Sequence, residues 1–155
     1  MAVYNTTTAA ALTGVVLGTR VDRAAATLPA TTQTPYFSVY GGRCLVTLLL
    51  GEVTTVVQAQ ACAASWEADP TTGTTNALCA TFDMNAAEAG TLLTVIGPVA
   101  TAMTAGKSGA VQGPSSPVVV AVGDLEFKTA ATNTGATKWS LWYVPLDDGA
   151  YIQAV

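Results

Sequence analysis

The sequence predicts an all-β protein: an antiparallel β-sandwich or barrel of about 7–9 short strands, with an extended N-terminal arm and at most one short helix. Three observations carry this. Short runs of β-branched and aromatic residues recur, as in Tyr36–Tyr40, Arg43–Leu50 and Thr137–Val144. Glycine, proline and aspartate punctuate the chain, at Gly41-Gly42, Gly97-Pro98 and Pro145–Gly149. One stretch, Asn85–Gly90, carries the start and stop signals of a helix. The 155 residues amount to one domain's length. They divide into an arm, residues 1–34, and a single β domain, residues 35–155.

Residues 1–34 are dominated by Ala and Thr, with Arg20-Val21-Asp22-Arg23 as their charge cluster. Leu28-Pro29 and Thr34-Pro35 interrupt regular structure. The reading is an extended arm with one short strand at Gly14–Val21, packed on a neighbouring subunit. Tyr36–Tyr40 is a strand, and Gly41-Gly42 makes a two-residue turn into Arg43–Leu50. Gly51-Glu52 fits a second two-residue turn with glycine first. That turn places Leu50 opposite Val53, Leu48 opposite Thr55, Val46 opposite Val57 and Cys44 opposite Ala59, on one mostly apolar face. Arg43, Leu45, Thr47 and Leu49 share the other face, so this strand needs cover on both sides. A continuous strand bulged at Gly51 is the competing reading.

Trp66–Thr75 reads as a turn-rich connection and Ala77–Phe82 as a short strand. Asn85–Gly90 forms one helical turn, with Asn85 as cap, Glu88 three residues on and Gly90 at the end. Strand resumes at Thr91–Ile96. Residues 97–117, spaced by Gly106, Gly109 and Gly113, are expected as an exposed loop. Val118–Val122 is a strand and Gly123-Asp124 a turn. Leu125–Thr129 and Thr137–Val144 form a hairpin across Asn133-Thr134-Gly135, with Gly135 in the left-handed region. It pairs Phe127 with Leu141, Leu125 with Tyr143 and Glu126 with Trp142. Alternation places Trp139, Leu141 and Tyr143 on the core face and Trp142 on the other. Pro145–Gly149 turns into the last strand, Ala150–Val155.

Composition points to a partner surface. Charged residues make up 10% of the chain and apolar ones 50%, with a mean hydropathy of +0.43. Globular domains ordinarily carry about 25% charge. No run approaches the ~18 apolar residues of a membrane-spanning helix, so no membrane partner is expected. A chain this apolar has surface to hide, most simply against other copies of itself. The net charge of −4 and six scattered cations argue against nucleic acid. The N-terminus lacks a secretory pattern, so synthesis in the cytoplasm is expected.

Chemistry is thinly supplied. The chain has no His, which removes the usual general base and the commonest transition-metal ligand. Glu67/Asp69 and Asp147/Asp148 are the closest acidic pairs, placed by Pro and Gly where turns favour Asp. Asp83-Met84-Asn85 with Glu88 lacks the glycine and span of a calcium loop. Gly106-Lys107-Ser108 ends like a phosphate-binding loop, but Thr101 stands where that motif needs a glycine. Cys44, Cys62 and Cys79 are an odd set without metal spacing, read as small buried hydrophobes, with one disulfide plus a free thiol as the alternative. No catalytic residue, cofactor, metal or small-molecule substrate is expected. Arg20, Arg23, Tyr36, Tyr40 and Trp142 are the candidate interface residues.

Several strings resemble a group of small structural proteins of tailed bacteriophages. They are Tyr40-Gly41-Gly42-Arg43, Gly51-Glu52-Val53-Thr54-Thr55, Asn76-Ala77-Leu78-Cys79-Ala80, Asn133-Thr134-Gly135-Ala136-Thr137-Lys138-Trp139 and Tyr143-Val144-Pro145-Leu146-Asp147-Asp148-Gly149. The resemblance covers most of residues 28–150 and implies a virion component, a capsid decoration or cement protein. Such a protein would trimerise, bind the major capsid protein between neighbouring subunits on the outer capsid surface, and have no enzymatic role. A phage tail or fibre protein is the runner-up, followed by a fimbrial or adhesin-like subunit and a glycosidase-like enzyme.

Overall fold

The computed structural model describes residues 17–95, 99–107, 109–113 and 116–155. Among the described residues twelve strands form the fold: β1 (Thr19–Thr27), β2 (Gln33–Tyr40), β3 (Cys44–Thr55), β4 (Ala63–Pro70), β5 (Asn76–Ala77), β6 (Phe82–Asp83), β7 (Leu92–Thr94), β8 (Thr104–Gly106), β9 (Val118–Val120), β10 (Gly123–Thr129), β11 (Ala136–Pro145) and β12 (Tyr151–Ala154). They build two six-stranded antiparallel sheets, an all-β sandwich. Sheet I runs β1-β11-β3-β7-β8, with β9 also on β3. Sheet II runs β12-β2-β10-β4-β5, with β6 also on β4. The count exceeds the expected range because the strand expected at Ala77–Phe82 is two fragments, β5 and β6, and because β4 and the three-residue β8 stand where a turn and a loop are expected. Such fragments fall below what alternation can register in a sequence.

Alternating inward residues of the two sheets make the core. Trp66 on β4 and Trp139 on β11 meet edge to face across the sandwich, with ring centroids 4.8 Å apart. Phe127 on β10 lies 5.2 Å from Trp139 and 5.3 Å from Trp66. Tyr36 and Phe37 on β2 close the cluster. Aromatic pairs of this geometry add about 0.5–1.5 kcal/mol each beyond burial. Trp66 therefore belongs to a buried central strand, and the turn begins only at Thr71. Asp69 and Pro70 on β4 hid that strand, because both residue types ordinarily break one.

Glycines mislead the sequence reading in two places. Gly51 is not a turn: β3 is one continuous strand of 12 residues, as in the competing reading, but its irregularities fall at Thr47 and Thr54, and Gly51 pairs in regular register with Trp139. The Trp139 ring lies where a Gly51 side chain would be, 2.7 Å from the position of a Cβ. The cross-strand pairs expected between Leu50/Val53 and Cys44/Ala59 do not exist. Gly135 is likewise not left-handed. Its Cβ would stand 2.8–2.9 Å from Val57, so close approach of two chain segments selects glycine there.

Two expected hairpins are crossings between sheets. Gly41-Gly42 leads from β2 in sheet II to β3 in sheet I, and Asn133-Thr134-Gly135 leads from β10 in sheet II to β11 in sheet I. Phe127 therefore does not pair with Leu141; it packs across the core on Trp139. The real neighbours of β11 are β1 and β3. Buried Asn133 fixes the second crossing, its Oδ1 accepting from the amides of Gln58 (2.8 Å) and Gly135 (3.0 Å).

Part of the expected arm belongs to the sandwich. β1 forms the edge of sheet I, and Leu28 is buried. The strand expected at Gly14–Val21 starts at Thr19 and continues to Thr27; residues 1–16 lie outside the described residues. Asn85–Gly90 is two tight turns, not a helical turn. Asp83, not Asn85, holds them, its carboxylate accepting from the amides of Cys62 and Asn85. Within 97–117, Thr104–Gly106 forms β8 against β7 and Met103 is buried. Gly123-Asp124 opens β10 rather than turning.

Candidate functional site

Three places hold the five candidate residues. Arg20 and Trp142 are cross-strand partners on the outer face of sheet I, the guanidinium 5.1 Å above the indole ring. Asp22 and Ser140 are the next outward pair. The Ser140 hydroxyl donates to Asp22 at 2.5 Å, and Arg20 Nε donates to the same oxygen at 2.7 Å. The Ser140 bond, joined by Arg20 and opposed by slight burial, holds the Asp22 carboxyl below its ordinary value.

Arg23 sits on the other side of β1, over the ring face of Tyr36 at 3.6 Å. Its Nε and Nη1 are buried without a hydrogen-bond partner, so the aromatic face is what holds the cation. A charge turned inward on an edge strand, next to the bulge between Arg23 and Ala26, discourages another strand from adding there. Arg23 therefore guards an edge. Tyr36 is 1% exposed and is a core residue. It is corrected from contact to core, because the register break in β2 opposite Leu125 and Glu126 turns its ring inward beside Phe37.

Tyr40 lies on the opposite side of the molecule, on the outer face of sheet II. It stacks on its cross-strand partner Tyr151, with centroids 5.2 Å apart. The two residues are 40% and 46% exposed.

The apolar side chains around Trp142 matter more than the sequence indicated. β3 carries a register break against β11 between Trp142 and Tyr143, which makes Thr47 an extra residue. Cys44, Val46, Leu49 and Val53 are buried inward. Leu45, Leu48 and Leu50 face outward beside Val144, Trp142 and Ser140. Strict alternation placed Leu49 outside and Leu48 inside; the bulge reverses both. Leu45 is paired with Val119, which is 55% exposed. Leu48 and Leu50 also line a groove with Leu92, Thr94 and the 109–113 segment. The signal was present in the two-sided apolar run Cys44–Leu50.

The other candidates for chemistry have structural occupations. Arg43 holds Asp147 through Nε at 2.9 Å and Nη2 at 2.7 Å, and its backbone amide adds a third bond at 2.7 Å. The arginine side-chain and amide bonds hold the Asp147 carboxyl far below the usual carboxylate range. Glu67 pairs with Lys128 at 3.0 Å, and Asp69 accepts from Thr75 at 2.6 Å. Glu67 and Asp69 lie on β4, not in a turn. Cys44, Cys62 and Cys79 are free and buried, and burial pushes all three thiols up. Among the described residues no three acidic or cysteine side chains gather into a metal site.

Four of the five strings that carried the resemblance meet in two pairs. Gly51–Thr55 pairs along Ala136–Trp139, with Lys138 and Glu52 in an ion pair at 2.8 Å. Gly42-Arg43 closes on Asp147, and Gly41 abuts Gly149. They are contacts that determine the fold. Comparisons with protein-family models, with curated proteins and with solved structures find no match to this chain.

Proposed function

We propose that this chain is a non-enzymatic structural component of a tailed-bacteriophage virion: a decoration protein that trimerises and binds the major capsid protein on the outer surface of the head. The observation that carries this reading is the outward apolar face of sheet I, where Leu45, Leu48, Leu50, Val119 and Trp142 lie together. The inner face of β3 is filled by the core, while Leu45, Leu48, Leu50 and Trp142 are half-buried and Val119 is exposed among the described residues, which supports a contact on the outer face. A face rich in leucine with an aromatic beside an exposed arginine suits a permanent subunit contact. The resemblance supplies the virion context.

A cement protein works by mass action. It binds the assembled lattice and not the free subunits, and so stabilises the lattice. Rigid strands suit that task, because little ordering cost falls on the binding step. Purified protein mixed with undecorated capsids is expected to co-sediment with them and raise their thermal disruption temperature. Native mass spectrometry is expected to show trimers. A compact monomer at micromolar concentration that leaves capsids bare overturns the proposal.

A further inference from the structure

The outer face of sheet II is predominantly acidic, with Lys128 as the cation among its carboxylates. Asp124 and Glu126 on β10 lie directly opposite Asp69 and Glu67 on β4. Four of the chain's ten acidic residues thus form two like-charge cross-strand pairs. Such pairs destabilise a sheet. Lys128 answers Glu67, and the Ser38 hydroxyl donates to Asp124. Glu126 sits between Glu67 and Pro35 and is 8% exposed. Among the described residues no side chain donates to it. A carboxylate with no side-chain donor, set among like charges, gains from a cation laid beside it.

We propose that this face is a docking surface for a basic segment of a partner protein, whose lysines and arginines lie along Glu67, Asp69, Asp124 and Glu126. The carboxylates are strung along two strands and do not converge on one point, which suits an extended polycation and not a single metal ion. At one end of the face the stacked Tyr40 and Tyr151 offer exposed rings to a guanidinium or ammonium. The face belongs to the sheet opposite the apolar one, so this inference stands independently of the apolar contact.

The test is titration of the full chain with a labelled lysine–arginine peptide at low ionic strength, read by fluorescence anisotropy. Saturable binding that weakens with added salt is expected. The pair Asp69→Asn and Glu126→Gln is expected to weaken binding about tenfold. The pair Glu88→Gln and Asp148→Asn makes the same change in net charge elsewhere and is expected to leave binding intact. Circular dichroism establishes that both double variants fold, and Glu126→Gln alone serves if the first pair does not. Absence of saturable binding overturns the proposal, as does equal weakening by both pairs. Displacement of the peptide by millimolar calcium chloride with a rise in Tm also overturns it, in favour of a metal site.

Discussion

Gly51 shows how one residue can be chosen by its neighbour's size. Its place in β3 would suit many residues, but the Trp139 ring occupies the space above it. Adding one methyl there forces the ring out of its contact with Trp66. Gly51→Ala is expected to lose roughly 1–3 kcal/mol by overpacking. Gly113→Ala, with nothing within 4 Å of the added carbon, is expected to stay within about 0.5 kcal/mol. Urea titrations followed by tryptophan fluorescence separate the two. Glu126 gives a pH signature. Burial, then the Asp69, Asp124 and Glu67 carboxylates, push its carboxyl up against the pull of Lys128. The folded chain holds that proton more tightly than the unfolded chain. Its contribution therefore favours folding below the ordinary glutamate range and is lost as pH rises through the raised value. Glu126→Gln is expected to raise Tm at pH 7 and to change it little in acid, by calorimetry across pH.

At the scale of elements, the Asn133 crossing is the most exposed to a single change. Asn133→Ala leaves the Gln58 and Gly135 amides without their acceptor, at roughly 1–3 kcal/mol for each orphaned group. Asn133→Asp keeps the acceptor oxygen and replaces an amide nitrogen that has no partner. It is expected to lose less, as measured by denaturant midpoint. Equal losses would show that the pin is not the acceptor. This element also shows what was legible in the sequence. The all-β class, the core face of Trp139, Leu141 and Tyr143, and the outward Trp142 follow from composition and alternation. Strand partners do not. A glycine-rich link looks the same whether it folds a strand back on its neighbour or carries it to the other sheet. The outward position of Leu48 was hidden by the extra residue at Thr47, since one inserted residue inverts every later side chain. Arg23 and Tyr36 read as interface candidates, and the sequence could not show that they face each other inside.

For the whole molecule, the two outer faces differ in kind: sheet I is apolar around β3 and sheet II is acidic around β10. If the apolar face is the subunit contact, Leu48→Glu with Trp142→Ser is expected to yield a folded monomer that no longer co-sediments with capsids. Both side chains are half-buried and outward, so the core and the circular dichroism spectrum should persist. An intact trimer in that variant would place the contact elsewhere. The topology has a further consequence for how the chain is made. β11 separates β1 from β3, and β10 separates β2 from β4. An interior strand of each sheet is thus drawn from the last third of the sequence. While the chain is still emerging from the ribosome, β3 and β4 can pair only with the short strands β5 to β9, and neither sheet can close until β10 and β11 arrive. Every newly synthesised copy therefore passes through an interval in which its leucine-rich third strand lacks the β11 neighbour that later flanks it.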